Sequence, residues 1–188
     1  ICGDDHITKK AVENSKLKGV IKWGIGTDSI DLASLDEVGI KFSNTPGVFA
    51  DDVAEQALAL LFAVERGVCE VDRVVRQFGW LKKRGRRMVG RSALVIGYGS
   101  IGKKLTDKLT NLGITTFVLD PYLTGESHEG RQVYGEMPQR NFDYLFPILP
   151  LNDSTRKLLD KEFLSRAIPG GILVNVSRGG IVDEKGLI

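Results

Sequence analysis

The sequence predicts an α/β fold on a doubly wound parallel sheet, and three observations carry the prediction. Short β-branched runs alternate with segments of helical periodicity, the pattern of successive βαβ units. Ala93–Ile96 is apolar throughout and Ile172–Val176 is apolar but for Asn175, as strands buried on both faces are. Glycine makes up 22 of the 188 residues, against ~7% in an average chain. These glycines gather where strands end, at Gly24 and Gly26, at Gly97 to Gly102, and at Gly179 and Gly180.

Along the chain, residues 7–15 are polar and helix-compatible. Lys18 to Ile25 reads as a strand, and Ile30 to Val38 as a helix capped by Asp28 or Ser29 and stopped by Gly39. Lys41 to Asn44 is a second short strand. Asp51 opens a long helix carried to Phe78, with Gly67 a weak point. Its first half, Val53 to Val64, is apolar on nearly all sides and is expected to be buried all round. In the second half Val68, Val71, Val75 and Phe78 share one face. The basic run Lys82 to Arg87 reads as a solvated linker. A second βα series follows: strand Ala93–Ile96, a helix with Ile101, Leu105, Leu109 and Leu112 on one face, and strand Thr115–Leu119. Residues 120–137 read as irregular, Phe142–Leu149 as a strand despite Pro147, Asp160–Arg166 as a short helix and Ile172–Val176 as the last strand. The domain boundary falls near Met88.

Composition excludes several classes. Hydrophobic content of 42% with a net charge of +2 argues against disorder and gives no basis for nucleic-acid or anionic-membrane binding. No apolar run approaches the ~20 residues of a membrane-spanning helix. Cys2 and Cys69 form neither a metal motif nor a disulfide framework, so a cytoplasmic location is expected. His6 and His128 are expected at the solvated surface, and Cys69 as a small buried residue. Glu55, in a helical first turn, is expected to compensate the helix dipole. The chain starts without Met and stops at Ile188, inside what reads as a helix opened by Asp183 and Glu184, so it is taken as part of a longer protein.

The strongest motif is Gly97-Tyr98-Gly99-Ser100-Ile101-Gly102, which follows a strand and opens an amphipathic helix. In a Rossmann dinucleotide site the first glycine permits the turn, the second lets a pyrophosphate approach, and the third lets helix and strand pack. The helix N-terminus then offers N–H groups and a positive dipole end. Asp120 ends the next strand, where an acid accepts the adenosine ribose hydroxyls and repels a 2′-phosphate, so NAD is expected over NADP. The alternative is a glycine turn in an unrelated domain.

Arg178, in Ser177-Arg178-Gly179-Gly180, also follows a strand. A guanidinium there can grip a substrate carboxylate at two points and polarise a neighbouring carbonyl. A surface arginine in a glycine turn is the competing reading. The Gly24-Ile25-Gly26 loop can offer backbone N–H groups to an anion, or be an ordinary βα turn.

Taken together these segments resemble the D-isomer-specific 2-hydroxyacid dehydrogenases, with phosphoglycerate dehydrogenase-like members nearest. The resemblance runs through Gly24 to Asp31, Asn44 to Gly47, Val53 to Glu55, Gly97 to Gly102, Asp120-Pro121, Leu149 to Asn152 and Val174 to Asp183. It implies a flavodoxin-like substrate domain, of which residues 1–47 are the end of a segment, a linking helix and loop over 48–87, and a Rossmann NAD domain over 88–188. It further implies that Ile25 and Gly26 hold substrate carboxylate and that Arg178 is catalytic and binds the 2-oxo acid. The same correspondence has Ser100 and Ile101 contact pyrophosphate, Leu149 and Pro150 flank the adenosine half, and Val176, Ser177 and Arg178 line the nicotinamide side. Its catalytic Glu and acid/base His fall beyond Ile188, and neither His6 nor His128 matches them. Ser29, Phe49 and Phe146-Pro147-Ile148 depart from the family pattern. The expected activity is NAD-dependent hydride transfer on a D-2-hydroxy acid such as 3-phosphoglycerate, by a homodimer or larger homo-oligomer. An NAD-sensing corepressor of the same fold is the alternative.

Overall fold

The protein is described here by a computed structural model covering residues 3, 5–123, 127–128, 130–165 and 167–187. Cys2 and Arg166 lie outside the described residues. The chain opens with α1 (Lys9–Val12), β1 (Gly19–Lys22), α2 (Leu32–Glu37) and β2 (Lys41–Asn44). The two strands pair in parallel, Gly19 against Lys41 through Lys22 against Asn44. Both α1 and β1 are shorter than expected. Val12, Val20, Ile30, Leu35 and Ile40 close a small core. The cap of α2 is Asp31, whose carboxylate accepts from Ser34 N at 3.0 Å, and neither Asp28 nor Ser29. Gly39 stops the helix with φ of +72°, as expected.

The long helix is in fact two, α3 (Ala50–Arg66) and α4 (Val68–Arg76), broken where Gly67 turns left-handed at φ of +63°. Ala54, Ala57 and Leu61 of α3 are fully buried, but Leu60 and Val64 are exposed, so burial is one-sided. No residue of α4 is buried, and Val68, Val75 and Phe78 face solvent.

The second unit adds β3 (Ser92–Ile96), α5 (Ser100–Asn111), β4 (Thr115–Leu119), β5 (Ser127–His128), β6 (Arg131–Tyr134), β7 (Phe142–Pro147), α6 (Lys161–Leu164) and β8 (Ala167–Leu173). The sheet order is β5-β6-β4-β3-β7-β8, parallel except for β5 against β6. Both faces of β3 are buried, as its unbroken apolar run requires. Ala93 and Val95 pack with α3 and α5 through Ala54, Ala57, Leu61, Leu105 and Leu109. Leu94 and Ile96 pack on the other face with Phe117, Phe142, Leu145, Leu159 and Ile181. Each such Leu or Ile contributes roughly 1.5–3 kcal/mol by leaving water. Lys104 and Lys108 of α5 bridge to Asp51 of α3, and Lys108 also takes Glu55 at 3.0 Å, so Glu55 is half of an interhelical ion pair.

Other expectations change. Residues 120–137 contain β5 and β6, with β6 a full parallel neighbour of β4. Pro147 is tolerated as the last residue of β7, after which Ile148 N donates to Ile96 O at 2.7 Å. β8 begins at Ala167, five residues earlier than the apolar run, through an irregular register at Phe142 and Tyr144. Past Asp183 the chain makes one 3₁₀ turn, Glu184–Leu187.

The basic run is solvated at Lys82, Lys83, Arg84 and Arg87, as expected, but it is also anchored to the fold. Arg86 binds Glu65 at 2.9 Å and Gly170 O at 2.8 Å, and Lys83 pairs with Glu70. Glu65 is buried and also accepts from Tyr144 Oη at 2.6 Å. Burial, then the neighbouring Glu65 carboxylate, holds the Tyr144 hydroxyl above its ordinary range. Cys69 is exposed, not buried. His128 is half-buried, edge-on to the ring of Tyr98 at 5.8 Å. No helix among the described residues is long and apolar enough to cross a membrane, and none of their His, Cys, Asp and Glu side chains cluster to hold a metal.

Candidate active site

The carboxyl ends of β3, β4, β7 and β8 all lie on one edge of the parallel sheet, where open α/β sheets bind ligands. The three glycines after β3 differ in what surrounds them. Gly97 takes φ of +98°, and a Cβ there would stand 2.3 Å from Ile148 O. A Cβ on Gly102 would stand 2.1 Å from Gly97 O. A Cβ on Gly99 would meet no other described residue within 4 Å. Thus two glycines let backbone pack on backbone, and the middle one opens onto free space. Gly99 is also the N-cap of α5 and no side chain caps it, so the first N–H groups of the helix, at Ser100, Ile101 and Gly102, are presented there for an anion.

Asp120 follows β4 and is tied to this loop. Its Oδ2 accepts from Tyr98 N and its Oδ1 from Tyr122 N, both at 2.9 Å. Each oxygen keeps a lone pair for a ribose hydroxyl. The uncapped helix, the open side of Gly99 and the half-buried carboxylate fit a dinucleotide.

After β7 and β8 the chain is clamped by Ser177. Its hydroxyl donates to Pro147 O at 2.8 Å and accepts from Leu149 N at 3.1 Å. Ser177 N donates in turn to Asn175 Oδ1 at 2.9 Å, and Asn175 Nδ2 donates to Arg178 O at 2.9 Å. Leu149 packs toward the core and Pro150 is exposed, while Val176 packs against the α3–α5 face of the sheet.

Arg178 reaches across to the first unit. Its Nε donates to Asp28 Oδ2 at 3.0 Å and Oδ1 at 3.2 Å, and its Nη1 donates to Ser177 O at 3.2 Å. Its Nη2 lies where a side chain on Gly26 would stand, 2.4 Å from an ideal Cβ. The Gly24–Gly26 loop is fixed by Thr45, whose Oγ1 accepts from Gly24 N at 2.9 Å, and by Asn44, whose Nδ2 donates to Ile25 O at 3.0 Å. The hydrogen bond from Arg178 holds the Asp28 carboxyl below the usual carboxylate range, against the opposing effect of partial burial.

Arg178 therefore meets Gly26 and Asp28, some 150 residues away, on the loop that also carries Ile25, and Gly97, Ser177 and Leu149 are linked through the loop after β7. Sequence reading missed Asp28 as a partner of Arg178, and missed the supports Asn44, Thr45 and Asn175. The signal for Asp28 was present: it ends the same glycine loop that carries Ile25 and Gly26.

A parallel sheet with an uncapped glycine loop at its carboxyl edge and an acid on the next strand defines a Rossmann-type dinucleotide-binding protein. Comparison narrows the class. The family described as the D-isomer specific 2-hydroxyacid dehydrogenase NAD binding domain matches residues 58–188, and the chain belongs to this family. NAD is accordingly its cofactor. The chain is 32% identical to a hydroxypyruvate reductase of Thermotoga maritima over 96% of its length and 60% of that protein's. It is 29% identical to a D-3-phosphoglycerate dehydrogenase of Methanocaldococcus jannaschii, covering 96% of this chain and 36% of that protein. Among solved structures, the TT0316 protein of Thermus thermophilus superposes with a TM-score of 0.86 at 27% identity, over 98% of this chain and 61% of the other. The chain thus spans about 60% of the length of these hydroxypyruvate and glyoxylate reductase relatives.

Proposed function

We propose that the protein is an NAD-dependent oxidoreductase that interconverts a D-2-hydroxy acid and its 2-oxo acid, 3-phosphoglycerate or a related small acid being the substrate class. The observation that carries this reading is the meeting of Arg178 with the Gly26 loop at the edge that also holds the glycine loop. Gly97 and Gly102 shape the cradle, Gly99 leaves room for the pyrophosphate, and the N–H groups of Ser100 and Ile101 bind it. Asp120 takes the ribose hydroxyls, and its negative charge disfavours a 2′-phosphate. Leu149 and Pro150 flank the adenosine half, and Val176, Ser177 and Arg178 line the reacting half. When bound, NAD supplies the hydride acceptor or donor.

Arg178 has five N–H groups; one serves Asp28 and one Ser177 O, which leaves three for the substrate. Two of them grip the carboxylate, while backbone N–H groups of Ile25 and Gly26 complete the anion site. The guanidinium then favours negative charge developing on the neighbouring C2 oxygen. Reading residues 1–47 as substrate-domain segment, 48–87 as linker and 88–188 as cofactor domain puts this contact between the two domains. The exposed apolar residues Val68, Val75, Phe78 and Trp80 support docking of a second copy, which light scattering tests. Exposed, unpaired Cys69 supports a reducing cytoplasm.

The test is Arg178→Lys in the full-length protein. Lysine keeps the charge and loses the planar fork. Expected are normal NADH binding by fluorescence titration and a fall in kcat/KM on the order of 10²–10³-fold across a panel of 2-oxo acids. Retention of more than about a third of kcat/KM, far outside that range, overturns the role.

A further inference from the structure

We propose that Asp28 is a positioning residue for the reaction: its carboxylate holds the Arg178 guanidinium by Nε, so that the terminal edge of the fork faces the substrate. The inference rests on the reading of Arg178 given above. Both Asp28 oxygens lie within 3.2 Å of Nε, and neither is bonded to Nη1 or Nη2. A carboxylate placed across the terminal edge would occupy the nitrogens a substrate needs; this one does not.

The rest of the surroundings act in the same direction. Ser177 O takes one N–H of Nη1 at 3.2 Å, which fixes the plane of the group. Gly26, lacking a side chain, leaves the space in which Nη2 sits. Asp28 is itself on a tied loop. Ile30 N donates to Thr27 O at 3.0 Å, Ile7 N to Ser29 O at 2.9 Å and Asp31 N to Ile7 O at 2.8 Å. The Arg178 hydrogen bond above all, with a smaller contribution from the positive charge of the buried Lys22, favours the ionised form of Asp28. A free arginine side chain carries rotamer entropy that a substrate would otherwise have to quench on binding. Asp28 removes much of that freedom beforehand, the general advantage of preorganisation.

The experiment uses full-length protein with Asp28→Ala, Asp28→Asn, Arg178→Lys and the Asp28→Ala/Arg178→Lys double variant. It reads kcat and KM for a 2-oxo acid, the Kd of NADH, and the Kd of oxalate for the NADH complex by calorimetry. Asp28→Ala is expected to weaken oxalate and lower kcat/KM by about 10- to 100-fold, as an arginine misplaced by about 1 Å would, with NADH affinity unchanged. Asp28→Asn, whose amide oxygen can still accept from Nε, is expected to recover part of the loss. In the Arg178→Lys background Asp28→Ala is expected to add little, because Asp28 acts through the arginine. The proposal is overturned if Asp28→Ala leaves oxalate binding and kcat/KM intact, or if its cost is the same in both backgrounds. It is also overturned if Asp28→Asn, which keeps the shape of the site, folds normally and is as defective as alanine. Failure of the functional reading looks different: Arg178→Lys would itself be active.

Discussion

Alanine at Gly97, Gly99 and Gly102 separates what the glycine loop does for the fold from what it does for the cofactor. At Gly97 an alanine meets two penalties. The backbone at φ of +98° costs an L-residue about 1–2 kcal/mol. Its Cβ also stands 2.3 Å from a main-chain oxygen that cannot swing away, an overpacking cost of about 1–3 kcal/mol. Destabilisation of roughly 2–5 kcal/mol follows, or a Tm lowered by about 4–20 °C for a chain of this size. Gly102→Ala meets the Gly97 carbonyl at 2.1 Å but gains up to ~1 kcal/mol of helix propensity in α5, so its loss is smaller. Gly99→Ala meets nothing within 4 Å and its φ of −73° suits alanine, so stability should stay within about 0.5 kcal/mol. Its methyl group instead enters the space where the pyrophosphate approaches, and NADH affinity should fall at least about tenfold, the loss of roughly one charge-assisted hydrogen bond. Thermal unfolding and NADH titration of the three variants read both effects. If Gly99→Ala unfolds as early as Gly97→Ala, or binds NADH like the unaltered protein, the division of roles is wrong.

Asp120→Ala should weaken NADH about ten- to hundredfold, through a lost charge-assisted hydrogen bond, and narrow the preference over NADPH. It should also loosen Tyr98 N and Tyr122 N, so titrations are paired with a melting curve. Glu65→Ala leaves the buried Tyr144 hydroxyl without its acceptor, while the half-exposed Arg86 keeps Gly170 O, and should cost about 1–3 kcal/mol, whereas Tyr144→Phe should cost about 1 kcal/mol; denaturant unfolding gives both. Burial raises the Asp143 carboxyl, but Ser92 N–H, Arg91 and the Ser92 hydroxyl outweigh it and hold it below the usual value. Its stabilisation is therefore complete above the unfolded value near 3.9 and is lost as pH falls through the lower folded one. Asp143→Asn should flatten the acid limb of a stability–pH curve below about pH 4; an unchanged limb would count against that ion pair.

Much of the cofactor half was legible because it is local. Strand, glycine turn, helix, strand and acid follow one another within Ala93 to Asp120, and each declares itself by period or by residue type. β2 was likewise bounded correctly, between Gly39 and Thr45-Pro46. What was not legible depends on distant partners. β6 has only Arg131 to Tyr134, mostly polar, and becomes a strand because β4 offers it an edge. The break at Gly67 was visible as a weak point, yet whether the helix bends or ends there depends on the left-handed backbone that Gly67 adopts, with the stem of Lys83 packed on its open side. Glu65 continues the stripe of Ala54, Ala57 and Leu61 at helical spacing, which is a signal for burial. Its charge argued the other way, and the partners that reconcile the two, Arg86 and Tyr144, lie 21 and 79 residues on.

Two arginine–carboxylate pairs in this chain show how structure and chemistry divide the same groups. Arg86 meets a Glu65 side chain that is 1% exposed, and that carboxylate also takes the Tyr144 hydroxyl. Such a buried, fully occupied group has nothing to offer a ligand, and its removal strands the buried Tyr144 hydroxyl. Arg178 and Asp28 are 38% and 26% exposed, in the regime where an ion pair contributes only about 0–1 kcal/mol to folding. Stability therefore does not account for a contact that spans 150 residues, joins two sheets and requires a glycine beneath the guanidinium. Orientation does: the pair fixes one edge of Arg178 and leaves the other open beside the glycine loops.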